Sequence, residues 1–243
     1  MVLFLHQPPS WFKMHWPKYS FFEGLRALIC LSEEQKAYFE GVSATPAIRI
    51  PHGVCHDFFT PSDVPQNNAP ELLFVGQWLR DFETLYAAMQ SIWKNRDDVI
   101  LNCVIPGSVR SRADLMELAK DERVIWHEGI PPESLRQLYR KATLLFLPLI
   151  DCVANNAILE AMACGLPIVS TDIGGIRDYV NDECAVLCKP ADVTAHVSAV
   201  LHVLDDKKFR DDAGRKSRAR VEKYFDWNAI ANLLIEKLEA LPE

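Results

Sequence analysis

Residues 155–175, with the sequence NNAILEAMACGLPIVSTDIGG, hold the residue types and spacings of this chain that are best suited to chemistry. The pattern predicts the start of a short helix, a Gly-Pro break, a buried strand and a Gly-Gly turn. The first N–H groups of a helix have no partner within the helix, and they favour an anion such as a phosphate. Glu160 follows about one turn later, where its carboxylate can accept hydrogen bonds from sugar hydroxyls. The segment therefore predicts a pocket for a sugar nucleotide.

Residues 160–169 and the Gly-Gly pair after them resemble the signature of retaining glycosyltransferases of the family 4-like group, which have two Rossmann-like domains (the GT-B fold). That signature is a Glu-Ala-Met-Ala-Cys-Gly-x-Pro-Val-Val run followed by a Gly-Gly loop. The resemblance implies that Glu160 holds the ribose of the nucleotide. It also implies that the donor diphosphate and sugar bind at the helix start, which consists of Asn155, Asn156, Ala157 and Ile158. A solvated Glu and an Asn helix cap without a ligand are the alternatives.

The function that the resemblance implies is transfer of a sugar from a nucleoside-diphosphate-sugar donor to an acceptor hydroxyl, with retention of the anomeric configuration. The donor is a substrate in this interpretation, and no cofactor is expected. No Asp-x-Asp metal motif stands in a suitable loop, so we expect no metal. The residues do not identify the donor sugar or base, or whether the acceptor is a sugar, a lipid-linked molecule or a protein.

One position departs from the family signature. Members often carry a second acid eight residues before the Glu-Ala pair, where it contacts the donor sugar, and Cys152 stands there in this chain. Asp151 lies one residue earlier. Either Asp151 takes this role through a shifted loop, or the contact is lost; Asp151 is kept as a candidate donor-binding residue.

A second candidate loop begins at Gly76, after the first strand of the larger predicted domain. Gly76 permits a tight turn and the close approach of a ligand. The family usually has an Arg and a Lys in this loop to neutralise the leaving diphosphate, and here Arg80 is the only basic residue. Arg80 is therefore a candidate catalytic and donor-binding residue. The alternative is a surface Arg that pairs with Asp81 or Glu83.

Two further turns resemble donor-binding segments of the family. Pro106 and Gly107 resemble a glycine turn near the nucleotide, and Gly129 and Ile130 resemble the segment whose backbone reads the base. Both pairs are also compatible with ordinary turns. The Gly-Gly pair at residues 174–175 is expected to shape the floor under the sugar.

His6 follows the apolar strand predicted for residues 2–5. In the resembled family, a His at the end of a strand of the N-terminal domain faces the donor sugar across the cleft. The resemblance therefore makes His6 the third candidate catalytic residue, beside Arg80 and Glu160. An ordinary loop His is the alternative.

From residue 71 onward, apolar runs alternate with helical patterns. Strands are predicted at 72–75, 99–105, 124–126, 144–147, 168–170 and 185–187, and helices at 82–94, 112–120, 132–141, 157–164, 175–180, 192–204, 207–224 and 227–241. This alternation predicts an α/β fold, a Rossmann-like parallel sheet with helices on both faces. All strands of such a sheet end at one edge, where ligands bind.

The predicted domain order combines this pattern with the resemblance. Residues 1–52 resemble the last strands of the acceptor-side domain of the family, a second Rossmann-like domain of which we expect most to be absent. Residues 53–70 are predicted as a linker, 71–225 as the nucleotide-sugar-binding domain, and 226–243 as a C-terminal helix.

The composition narrows the class of protein. The 243 residues are 49% hydrophobic and 24% charged, which is ordinary for a globular protein, and the net charge of -7 argues against a nucleic-acid partner. No apolar run is long enough to span a bilayer. Seven scattered cysteines predict buried free thiols in the cytoplasm, with peripheral membrane attachment left open.

Three hypotheses follow for function. The first is an active glycosyltransferase, completed by a partner chain that supplies the rest of the N-terminal domain or active in this shorter form. The second is a fragment or subunit that binds a sugar nucleotide without turnover. The third is a sugar-nucleotide epimerase, against which the Glu-Ala-Met-Ala-Cys-Gly run argues.

Overall fold

Two parallel sheets organise the part of the chain that the computed structural model describes, residues 1–16, 18–62 and 69–241. The smaller sheet consists, in spatial order, of β1 (Val2–Leu5), β2 (Ala27–Cys30) and β3 (Ala47–Arg49). The larger sheet consists of β4 (Glu71–Val75), β5 (Ile100–Val104), β6 (Val124–His127), β7 (Leu144–Leu147), β8 (Ile168–Thr171) and β9 (Ala185–Cys188). Its spatial order is β6-β5-β4-β7-β8-β9, and every pair of neighbouring strands is parallel.

Helices separate most of these strands along the chain, and three of the described helices follow β9 in succession. The helices are α1 (Pro9–His15), α2 (Glu33–Val42), α3 (Phe82–Asn95), α4 (Ala113–Leu118), α5 (Pro132–Lys141), α6 (Asn156–Ala163), α7 (Ile176–Tyr179), α8 (Val193–Asp205), α9 (Lys207–Tyr224) and α10 (Trp227–Glu239). The α/β prediction of parallel sheets flanked by helices is confirmed. No helix of the described residues has both the length and the apolar character needed to cross a membrane.

β4 and β7, which are neighbours at the centre of the larger sheet, are mainly apolar because helices cover the sheet. Every residue of β7 is buried, and so are the last four residues of β4. A strand that is covered on both faces has a continuous apolar run instead of an alternating one. All seven cysteines are free thiols, and six of them are buried; Cys55 is exposed, unlike the prediction for the group.

The spatial order of the strands creates a switch point beside β4. β4, β5 and β6 follow one another toward one edge, whereas β7 returns to the opposite side of β4. The loops after β4 and β7 therefore leave the sheet side by side, and Arg80 and Leu149 form an isolated bridge between them. Open α/β sheets bind ligands outside the carboxyl ends of their strands at such a point.

The Gly-Leu-Pro sequence after α6 ends this helix in a defined way. Gly165 has a φ of 72°, and its amide donates to the carbonyl of Met162 at 3.0 Å. The amide of Leu166 donates to the carbonyl of Ala161 at 3.0 Å, which completes a Schellman motif. Glycine adopts this left-handed conformation at little cost, and Pro167 then prevents the helix from continuing.

The last helix, α10, packs against the smaller sheet. Ile230 forms a buried cluster with Ala27, Ile29 and Ile50. The chain thus crosses back from the larger sheet to the smaller one, and burial of this apolar face holds the two parts together.

The segment predicted as a linker, 53–70, is tightly held where it is described; residues 63–68 lie outside the described residues. The guanidinium of Arg218 donates to the carbonyls of His56, Phe59 and Ala163, each at 2.8 Å. These bonds connect the segment to α6 and α9, so its described part is packed like the rest of the domain.

Candidate donor-binding site

A cavity of about 450 Å³ opens at the switch point, between the two sheets. The larger sheet contributes the loops after β4 and β7 and the start of α6. The smaller sheet contributes residues that follow the ends of its strands, namely His6, Leu31 and His52. The cavity therefore has two walls, which we call the donor wall (larger sheet) and the facing wall (smaller sheet).

Glu160 lies on α6, in the donor wall. Its Oε2 accepts a hydrogen bond of 2.8 Å from the hydroxyl of Tyr139, while its Oε1 accepts none from the described residues. Burial raises the pKa of Glu160 to about 7, and the bond from Tyr139 opposes this rise. A half-bonded carboxylate, in which one oxygen is bonded and the other is free, is suited to accept hydrogen bonds from hydroxyl groups of a ligand.

Arg80 is the only cation of the loop after β4, and described carboxylates lie outside ion-pairing distance of it. Its guanidinium donates to the carbonyls of Val75 and Trp78, at 2.9 and 2.8 Å, and more weakly to Asn155 Oδ1 at 3.4 Å. Burial lowers its pKa to about 10, so it stays protonated at neutral pH. Asp81, the alternative partner, instead caps α3 by accepting from Thr84.

The absence of a side chain at Gly76 leaves room for the guanidinium of Arg80. The φ of this glycine is 87°, and a Cβ at this position would lie 2.8 Å from Arg80 Nη2. A side chain here would therefore be strained and would also displace Arg80. Both residues line the cavity, and their contact with the donor stays a prediction.

The start of α6 offers fewer free amides than expected. Asn155 caps the helix, since its Oδ1 accepts from the amide of Ala157 at 3.1 Å. The amides of Asn156 and Ile158 have no acceptor among the described residues. Asn155, Asn156 and Ala157 line the cavity, whereas Ile158 is buried beneath it.

Asp151 and Cys152 both line the cavity. Asp151 Oδ2 accepts from the hydroxyl of Ser10 at 2.6 Å, and its Oδ1 accepts from the amide of Cys152 at 2.7 Å. Asp151 thus lies where the two walls meet. Burial raises the pKa of the Cys152 thiol to about 12, so this side chain is a neutral thiol.

His6 belongs to the facing wall. Its ring centroid lies 6.3 Å from that of His52, in an edge-on arrangement. Burial, with a smaller contribution from His52, lowers the pKa of His6, which favours a neutral imidazole. The structure therefore brings all three candidate catalytic residues to one cavity: His6, Arg80 and Glu160.

The other two predicted turns do not line this cavity: Pro106, Gly107, Gly129 and Ile130. They follow β5 and β6, which lie on the side of β4 away from β7. The amide of Gly107 donates to Glu128 Oε1 at 2.7 Å, so it is already bonded to the protein. Their contact with the nucleotide stays a prediction.

The Gly-Gly turn, which was expected to shape the floor under the sugar, joins the two walls of the cavity. A Cβ on Gly174 would be 2.1 Å from the carbonyl oxygen of Cys152, and one on Gly175 would be 2.3 Å from Cβ of Ser32. Neither glycine lines the cavity. Glycine is needed here because α7 approaches both the loop after β7 and the smaller sheet.

Tyr139 and Trp78 are among the residues at the site that were not predicted from the sequence. Tyr139 is fully buried on α5 and belongs to no motif, although it bonds Glu160. Trp78 lines the cavity and is 55% exposed; an aromatic residue in the predicted ligand loop was the available signal. The described residues contain no group of three or more His, Cys, Asp or Glu that could hold a metal.

The model of the family described as glycosyl transferases group 1 matches residues 69–206, more than half of the chain. The chain belongs to this family, and the resemblance seen in the sequence is confirmed. It is 29% identical over 174 residues to glycogen synthase of Mycobacterium tuberculosis, covering 69% of this chain and 42% of that protein. It is 28% identical over 207 residues to D-inositol 3-phosphate glycosyltransferase of Arthrobacter sp., covering 78% and 49%. The chain thus spans about half the length of these relatives.

Solved GT-B glycosyltransferases share the fold. Sucrose-phosphate synthase from Thermosynechococcus elongatus is 24% identical with a TM-score of 0.81, and the match covers 98% of this chain and 68% of that one. HepE from Anabaena, in complex with UDP-glucose, is 17% identical with a TM-score of 0.85, covering 99% and 72%. The prediction of the GT-B fold is confirmed.

Proposed function

We propose that this protein transfers a sugar from a nucleoside-diphosphate-sugar to an acceptor hydroxyl, with retention of configuration and without a metal ion. One observation carries the proposal. The guanidinium of Arg80, which pairs with no described carboxylate, shares one cavity with the half-bonded carboxylate of Glu160 and the start of α6. Family membership supports it, and so does the HepE complex, whose ligand is UDP-glucose.

The residues of the donor wall would have two roles in the reaction, to stabilise negative charge and to position the donor. Breaking the bond between the sugar and the diphosphate puts negative charge on the departing phosphate oxygens. Arg80 and the free amides at the start of α6 would stabilise this charge, which a metal ion does in other enzymes. Glu160 would accept hydrogen bonds from hydroxyl groups of the ribose through its free oxygen.

The acceptor is proposed to attack from the same side that the diphosphate leaves, which retains the configuration. Its oxygen forms the new bond to the anomeric carbon, and its proton passes to the departing phosphate, so no strong protein base is required. The neutral imidazole of His6 faces this point from the smaller sheet and would contact the donor sugar.

Calorimetric titration with UDP-, GDP- and ADP-sugars tests the donor site. We expect one of them to bind, and Glu160→Gln to weaken its binding about tenfold. The control is Glu117→Gln, an exposed carboxylate that pairs with Lys120, and it should leave the affinity unchanged. If no sugar nucleotide binds, or if Glu160→Gln binds as well as the parent, the proposal fails.

Product analysis then separates the hypotheses. The proposed retaining, metal-independent glycosyltransferase forms a glycoside with the anomeric configuration of the donor, in the presence of a chelator as well as without one; a product of inverted configuration contradicts the proposed retention. Tight donor binding with no turnover on any acceptor indicates a binding subunit. Conversion of the donor to an epimeric sugar nucleotide without an acceptor indicates the epimerase.

A further inference from the structure

Tyr179, the last residue of α7, connects the two walls of the cavity through its hydroxyl. The side chain is 2% exposed and stacks on Phe225, with ring centroids 5.3 Å apart. The hydroxyl donates to the carbonyl of Leu31 at 2.7 Å and accepts from the amide of His52 at 3.0 Å. A residue of the larger domain thereby holds two backbone groups of the facing wall.

The two bonded residues lie at the ends of strands. Leu31 follows β2, and His52 comes shortly after β3; both line the cavity. Parallel strands end at the same edge, so one hydroxyl is able to reach both.

Gln35 continues the connection from Leu31 to the catalytic candidate. This residue is fully buried on α2, and its Oε1 accepts from the amide of Leu31 at 2.7 Å. Its Nε2 donates to the carbonyls of Leu5 and Gln7, each at 2.8 Å. These carbonyls flank His6, so the amide of one side chain holds the backbone on both sides of the imidazole.

The bonding of Gln35 departs from its local role. With Ser32 as the helix cap, Gln35 occupies the position whose side chain normally reaches back to the cap amide. Here it bonds one residue earlier, and its amide nitrogen extends to β1. All these groups are buried or half-buried, where an unpaired polar group is costly, so the arrangement has little freedom to move.

We propose that Tyr179 and Gln35 are positioning residues, which hold His6 against the donor cavity through one continuous chain of hydrogen bonds from α7 to β1. The inference rests on the proposed function, which gives His6 its place at the donor sugar. The nucleotide contacts proposed above all belong to the donor wall. Loss of this chain of hydrogen bonds should therefore impair sugar transfer without impairing nucleotide binding.

Tyr179→Phe and Gln35→Met test this chain of hydrogen bonds. Each substitution removes the side-chain hydrogen bonds of the replaced residue at nearly constant volume. We expect the kcat of transfer to fall about tenfold, while the affinity for the donor nucleotide by calorimetry changes less than about twofold. In NMR titrations, the pKa of His6 should move up, toward its ordinary value, as the ring gains solvent. This readout does not depend on turnover.

Two conservative controls separate positioning from stability. Tyr38→Phe removes a hydroxyl bond to Tyr19 in the same part of the chain, away from the cavity, and should alter neither kcat nor the His6 titration. Tyr139→Phe removes the bond to Glu160 and should affect nucleotide binding while leaving the His6 titration unchanged. Folding of each variant is checked by its melting temperature.

Unchanged His6 titration in a folded Tyr179→Phe protein overturns the inference, whatever the turnover. If Gln35→Met fails to fold, the Tyr179→Phe protein decides. If the parent protein binds a donor but transfers nothing, the proposed function fails while the NMR comparison still tests the positioning of His6.

Discussion

The two walls of the cavity are built on different principles. Within each segment of the donor wall, neighbours in the chain place the functional groups: Gly76 makes room for Arg80, and Asn155 caps the helix that presents Glu160. The facing wall depends on distant residues, since Tyr179 bonds Leu31 across 148 positions of the chain. A local motif can thus prepare a binding site, whereas the alignment of a group opposite that site requires long-range contacts.

Replacement of Arg80 should cause the largest loss of donor affinity, and its structural effect should be confined to the donor wall. Arg80→Met removes a guanidinium that no described carboxylate neutralises, and we expect donor affinity to fall about 100-fold, as for lost charge-assisted bonds. Arg112→Met, at an arginine paired with Asp114, is the control and should bind normally. Calorimetry measures both. An equal loss in the two variants would point to a general effect of net charge.

Replacement of Gly76 should have an intermediate effect on donor affinity. It tests whether this glycine is needed to place Arg80 in the donor wall. Gly76→Ala places a left-handed alanine against Arg80, and Gly24→Ala meets no atom within 4 Å at a similar φ of 83°. Both should lose about 1–2 kcal/mol of unfolding free energy from backbone strain. Only Gly76→Ala should also weaken donor binding, through displaced Arg80. Chemical denaturation and calorimetry give the two quantities; normal binding by Gly76→Ala would contradict the role of the glycine.

The protonation of Glu160 should have the smallest effect. The pKa of this carboxyl is raised to about 7, and its ionised form is the better hydroxyl acceptor. Donor affinity should therefore rise several-fold from about pH 6 to about pH 8. A nucleotide sugar suits the measurement because its diphosphate, esterified at both ends, does not titrate in this range.

Two variants sharpen the assignment of this pH dependence. Tyr139→Phe removes the bond that lowers the pKa of Glu160, so the rise in affinity should move to higher pH. Glu160→Gln should abolish the rise. If the pH dependence survives in Glu160→Gln, it belongs to another titratable group of the cavity, such as His6 in the facing wall.

Much of the fold was predictable because its signals are local. Alternating apolar and helical patterns predicted the strands of the larger sheet, and β7 was predicted with the bounds that the structure has, 144–147. The Gly-Leu-Pro sequence after α6 marked the end of that helix. The predicted linker, by contrast, is in its described part a packed segment, since Arg218 holds it from a position about 160 residues away.

By itself the sequence determined the α/β class, the helix that carries Glu160 and the loop that carries Arg80, because periodicity, caps and turn residues act over a few positions. Only the tertiary structure decided which loops share a cavity. The order of strands brings the loops after β4 and β7 together and places Gly107 and Gly129 on strands at the other side of β4. It also decided that Tyr139 bonds Glu160 and that Tyr179 and Gln35 hold the wall around His6. Such bonds join side chains to partners far along the chain, and no spacing in the sequence encodes them.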